Sequence, residues 1–244
     1  MATEAPRPAF YALAPGGWRD YVTLLHLPYT LWHLGYVVIG ACLAPHVPWG
    51  RTALTVLAFF LALGIAAHAL DELNGRPLKT EISNGVLVGL AAGSLAGAVA
   101  LGVAVAIQHD LWLLPFIAFG GFMVCAYNLE LFGGVFHNGF WLALSWGAFP
   151  ILTAYFQAAG RVRGEAVLAA AFGALLIGAQ KTLSTPVRDV RRRTVSVTGT
   201  IEKSDGTRVA IGPETLTAAP ETALRFIAAA VIALATALLV LRLT

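Results

Sequence analysis

The sequence predicts an all-α fold: a polytopic transmembrane helical bundle of about seven spanning helices, with a small β-hairpin on its cytoplasmic face. Three observations carry this reading. The 244 residues are 58% hydrophobic and only 12% charged, about half the charge that covers an ordinary soluble domain. Mean hydropathy is +0.74. The apolar residues also gather in runs of about 20, the length that crosses a bilayer core as a helix. A lone spanning strand would leave its backbone unpaired in lipid, so the runs are read as helices.

The elements follow in order. Residues 1–20 form an N-terminal cytoplasmic segment. Met1 to Gly17 is rich in Pro and Ala and lacks an apolar core preceded by basic residues, so the first spanning helix is expected to act as its own insertion signal. The bundle occupies residues 21–193, with spans at roughly Leu24–Ala44, Arg51–Leu70, Gly85–Ile107, Leu111–Leu129, Phe140–Ala159 and Ala166–Leu183. Small residues crowd several of these, as at Gly89–Gly93 and Ala169–Ala174, which lets helices approach closely in lipid. Residues 194–214 alternate polar and apolar around Lys203-Ser204-Asp205-Gly206, the pattern of a hairpin that serves as a flap or as a linker. Residues 215–244 hold the last span, Thr222–Leu243.

Charge sets the expected topology. Arg7, Arg19, Arg76, Lys79, Lys181, Arg188 and the run Arg191–Arg193 fall on one side with Lys203 and Arg208, against Arg51, Arg161, Arg163 and Arg242 on the other. This asymmetry puts the N-terminus in the cytoplasm of a bacterial or archaeal plasma membrane and the C-terminus outside. The net charge of +3 is therefore read as topology-setting loop charge, not as a nucleic-acid surface. Cys42 and Cys125 lie inside apolar runs and read as small core residues. His26 and His33 share a helix face and read as core hydrogen bonding.

Three cytoplasmic segments hold the chemistry-bearing residues. At the end of the second span, His68, Asp71 and Glu72 stand at i, i+3 and i+4, on one helix face. That spacing suits a metal ion, or two carboxylates beside a magnesium-bound diphosphate. Asn74 adds a polar ligand, and Arg76 and Lys79 add positive charge for phosphate. After the fourth span, Tyr127, Asn128 and Glu130 lie at the boundary, with Tyr127 and Phe136 able to face a cation and Glu130 able to act as acid or base. At the end of the sixth, Lys181, Arg188 and Arg191 are candidates to grip a diphosphate, while Arg192 and Arg193 read as topology-setting charge.

These residues resemble the motifs of the UbiA-type intramembrane prenyltransferase superfamily. Pro28-Tyr29-Thr30-Leu31 resembles the entry to its first helix, and Ala67 to Asp71 followed by Arg76-Pro77-Leu78 resembles its first aspartate-rich motif. Tyr127, Asn138-Gly139, Gly147 and Pro150 resemble the region after its fourth helix, and Arg188-Asp189-Val190 the start of its second aspartate motif. His68 stands where the family has aspartate, Ala67 where it has asparagine, and arginines follow Asp189 where it has further carboxylates. The resemblance implies an isoprenyl diphosphate as substrate, magnesium as cofactor and an apolar chamber opening to the cytoplasmic face. It makes His68, Asp71, Glu72 and Asp189 the metal set. It makes Asp71, Tyr127, Asn128 and Glu130 the reacting and acceptor-positioning group, and Arg76, Lys79, Lys181, Arg188 and Arg191 the diphosphate holders. Direct arginine contact with the diphosphate is expected to replace part of the metal's role. The alternative is a non-catalytic isoprenoid- or lipid-binding membrane protein that has lost the metal site. A transporter using His68, Asp71 and Glu72 ranks last, because no inverted repeat is visible.

Overall fold

The computed structural model describes residues 7–244. Two helices, α1 (Trp18–Leu24) and α2 (Leu27–Leu43), meet at a 44° bend. The bend sits at His26, whose backbone is left-handed (φ 45°). Pro28 then starts α2 in the first turn, where its missing N–H costs nothing. Next come α3 (Trp49–Leu73), α4 (Asn84–His109), α5 (Leu113–Asn128), α6 (Gly139–Ala159) and α7 (Gly164–Arg193). The strands β1 (Gly199–Glu202) and β2 (Arg208–Ile211) precede α8 (Pro213–Leu243).

All seven predicted apolar segments lie on helices, but their lengths differ. Among the described residues five helices, α3, α4, α6, α7 and α8, are long and apolar enough to cross a membrane, and the bent α1–α2 pair makes a sixth. The chain is therefore an integral membrane protein. The expected seventh span shortens to the 16 residues of α5, about 24 Å of helix against a core of about 30 Å. A turn at Asp110, whose carboxylate accepts from Trp112 N–H, delays its start to Leu113. A second correction concerns α7, which runs through Pro186 to Arg193, so the polar stretch after Leu183 is helix and not loop. Lipid-facing positions explain why the helices need so little internal burial: Leu168, Leu175 and Phe226 are each more than 70% exposed on the protein surface.

Two helices are widened by a residue per turn: α3 over Phe60–Ala67 and α6 over Ala143–Ala148. α2 is the central strut, packed on α6 and α8. Its buried Trp32 and Tyr36 join Ile151, Ile177 and Val231 in one core cluster. Close crossings depend on glycine. A Cβ at Gly40 would lie 2.3 Å from the Ile151 carbonyl oxygen, and one at Gly147 would lie 2.6 Å from that of Gly173. The hairpin pairs antiparallel from Gly199–Ile211 to Glu202–Arg208, around a turn closed by Gly206 at φ 83°.

Candidate polar cavity

A polar cavity lies where α3 and α7 end and α2 and α8 begin. Asp71 enters it from α3, Arg188 and Arg192 from α7, and His26 and Tyr29 from the start of α2. Gln180 and Ser184 complete the α7 side. Gln180, Ser184, Arg188 and Arg192 recur every four residues, the spacing of a single helix face. Asp71 sits within electrostatic reach of Arg192 and Arg188.

The N-terminal segment straps the mouth. Arg192 Nε donates to the Pro8 carbonyl at 3.2 Å. The Arg225 guanidinium lies 4.9 Å over the Phe10 ring, a cation–π contact. Tyr11 packs on His26 and Tyr29, with centroids 5.1 and 5.6 Å away. Burial pushes the Tyr11 phenol above its ordinary pKa, so it remains a neutral hydroxyl.

The structure separates the predicted site residues. Asp71 and Arg188 line the cavity; the rest do not. Glu72 is wholly buried, and its carboxylate accepts from Leu78 N–H (2.9 Å), Thr80 N–H (2.8 Å) and the Thr80 hydroxyl (2.9 Å). It anchors the loop after α3 and has no free oxygen face for a metal. Arg76 closes the same loop, donating to the Thr80 and Ile82 carbonyls and to the Asn84 side chain. Lys79 is exposed, in a left-handed backbone conformation (φ 56°). Arg191 turns away to a two-pronged pair with Glu221. Asp189 faces outward and pairs with Arg193 at 3.3 Å. Lys181 leans toward Gly139, its Nζ 3.3 Å from where a Cβ there would stand.

The segment after α5 is likewise spent on structure. The Asn128 side chain donates to the Val124 carbonyl, and the Asn128 backbone carbonyl accepts from the Asn74 side chain. Glu130 is exposed, 3.9 Å from His137. Tyr127 is stacked between His137 and Trp146, with centroids 4.4 and 4.7 Å away.

The proposed metal set does not fit. His68 stacks on His26 and places Nδ1 3.1 Å from the Gly64 carbonyl oxygen. With Glu72 committed to the loop and Asp189 facing outward, Asp71 stands alone. Among the described residues no three His, Cys, Asp or Glu side chains converge as a metal set.

A separate apolar chamber, partly open at its side, lies between α3, α4, α5 and α6. Its walls include Phe59, Leu63, Ile117, Met123 and Phe149. Among the described residues none lines both this chamber and the polar cavity. The expected single chamber opening beneath the charged end is thus divided in two.

Sequence reasoning missed Arg192, His26, Tyr11, Gln180 and Ser184. The four-residue recurrence on α7 was the available signal for Arg192. The sequence reading sets Arg192 aside as topology-setting charge together with Arg193, although the spacing already allows it one helix face with Arg188. No protein-family model, curated protein or solved structure matches the chain.

Proposed function

We propose that the chain is a UbiA-like membrane protein that acts on an isoprenoid diphosphate, by prenyl transfer or cyclisation. In this reading Arg188 and Arg192 hold the diphosphate directly, without a magnesium bridge. The observation that carries it is the meeting of Asp71 with Arg188 and Arg192 at one cavity. Guanidinium forks match phosphate oxygens, and partial exclusion of water strengthens such contacts. Cleavage of the allylic carbon–oxygen bond would send the electron pair out with the diphosphate, where the two arginines stabilise the growing charge. The allylic cation left behind would face the Tyr29 ring. An acceptor, or a double bond of the same chain, would capture the cation and release a proton, with Asp71 as the nearby carboxylate to take it. The basic residues at this end support a cytoplasmic location for the cavity and the N-terminus.

The test is incubation of the purified chain in nanodiscs with geranyl, farnesyl and geranylgeranyl diphosphates, with and without EDTA. Saturable binding and diphosphate release that persist in EDTA, and fall at least tenfold in R188A and R192A, are expected. Absence of binding to all three overturns the reading.

The failure of the carboxylates to converge favours a second reading, a non-catalytic isoprenoid-diphosphate binder. Saturable binding without diphosphate release, across a panel of acceptors and divalent metals, selects it.

A further inference from the structure

The carboxylates buried at the charged end of the bundle are engaged, with one exception. Asp20 accepts from the Gly16 and Glu81 N–H groups. Glu72 holds the loop after α3, and Glu221 holds Arg191. Asp71 has neither kind of partner. It lines the polar cavity, and among the described residues its carboxylate makes no hydrogen bond and no ion pair. The residue is only partly buried, and neither of its oxygens is closed off from the cavity.

The nearby arginines do not fill the gap. Arg192 and Arg188 act on Asp71 electrostatically, yet no guanidinium nitrogen comes within 4.0 Å of its oxygens, the reach of an ion pair. Arg192 turns its Nε to the Pro8 carbonyl, and Arg188 reaches the Thr185 hydroxyl at 3.4 Å. Asp71 also stands in the final turn of α3, where the negative end of the helix dipole disfavours an anion and favours a cation. Tyr11 and Tyr29 line the same cavity, and aromatic faces attract cations.

A diphosphate on Arg188 and Arg192 sharpens this imbalance. One phosphate monoester carries about −1.5 to −2 charge at pH 7, and a diphosphate ester carries more. Two guanidiniums do not cancel it, and Asp71 adds a like charge beside it. Among the described residues no three ligands converge to hold a metal between the two anions.

We infer that the cavity takes two ligands together: an isoprenyl diphosphate on Arg188 and Arg192, and a small primary amine, in its ammonium form, on Asp71. An ammonium has three N–H donors and no acceptor. It gives one N–H to the Asp71 carboxylate and another to a diphosphate oxygen, and so bridges the two anions. A neutral alcohol has a single O–H and cannot serve both. The inference rests on the diphosphate reading and adds to it the chemical class of the second ligand.

The probe is farnesyl S-thiolodiphosphate, a slowly ionising analogue, added to the purified full chain in maltoside micelles with EDTA and followed by calorimetry. Propylamine and propanol are the second ligands. Propylamine is expected to tighten the analogue about tenfold, within the usual range of coupling between two sites, and propanol to leave it unchanged. Asp71→Asn keeps the size of the side chain and disturbs no internal hydrogen bond of the carboxylate. It is expected to bind the analogue still and to lose the response to propylamine. Binding of the analogue with no response to propylamine overturns this inference and leaves the diphosphate reading standing. So does a response that Asp71→Asn retains, or a loss of analogue binding in that variant alone. An analogue that binds neither form, with or without propylamine, overturns both.

Discussion

The imidazole rings of His26 and His68 stack face to face, with centroids 4.0 Å apart and planes 18° from parallel. The contact ties the bend between α1 and α2 to the last turns of α3, beside the polar cavity. Stacked aromatic pairs contribute about 0.5–1.5 kcal/mol beyond the area they bury. His68→Ala is expected to lower stability in detergent by about 1–3 kcal/mol, once the lost packing is included. His68→Phe keeps a flat ring in place and should recover most of the loss. Thermal unfolding of the two variants decides it: equal destabilisation would mean that the stack is not the stabilising contact.

Glu72 is the pin of the loop between α3 and α4. Truncation to alanine would orphan the N–H groups of Leu78 and Thr80 in a buried setting, at about 1–3 kcal/mol each. Glu72→Gln retains one acceptor oxygen but turns an amide against one of the two donors. The expected order of stability is wild type, then Gln, then Ala, measured by denaturation in mixed micelles. An alanine variant as stable as wild type would refute the anchoring role.

Arg191 and Glu221 form a two-pronged ion pair, with contacts of 2.5 and 2.8 Å and Glu221 the more buried partner. Removing the arginine alone leaves a buried carboxylate unpaired, at about 3–5 kcal/mol. The double variant R191A/E221A should be more stable than R191A, with a coupling of about 1–3 kcal/mol. Because Arg191 points away from the cavity, folded R191A should bind isoprenyl diphosphates within twofold of wild type. A tenfold loss would return Arg191 to the site.

Asp205 caps the hairpin turn by accepting from Thr207 N–H at 2.9 Å. That hydrogen bond holds its carboxyl below the ordinary value of 3.8. A depressed folded-state pKa means that the stabilisation is present above 3.8 and is lost as pH falls through the lower folded value. The protection factor of the Thr207 amide, its exchange rate relative to the intrinsic rate at each pH, should therefore fall as the solution is acidified below that range, and Asp205→Asn should remove the dependence. A protection factor that stays flat with pH in the unmodified chain would rule the cap out.

Much of the fold was legible because lipid imposes one rule on every span: long apolar runs must be helices. The alternation around Lys203–Gly206 likewise revealed the hairpin, since strand faces repeat every second residue. Helix ends were harder. The sixth apolar run ends at Leu183, yet α7 continues through an interior proline, Pro186, to Arg193. The candidate site was legible at the level of segments and not of side chains. Asp71 and Glu72 are adjacent in sequence, but the helix turns one into the cavity and the other onto the loop. Arg191 and Arg192 part in the same way, one to Glu221 and one to the cavity. Spacing names a face, and only the neighbouring helices decide what that face meets.

Helix α3 contributes Asp71 to the polar cavity and Leu54 to Leu63 to the apolar chamber, and its widened stretch, Phe60–Ala67, ends next to His68. Each turn of that stretch holds about one residue more than an α-helical turn, so the faces on its two sides are rotated against each other, and one helix turns an apolar face to one compartment and a carboxylate to the other.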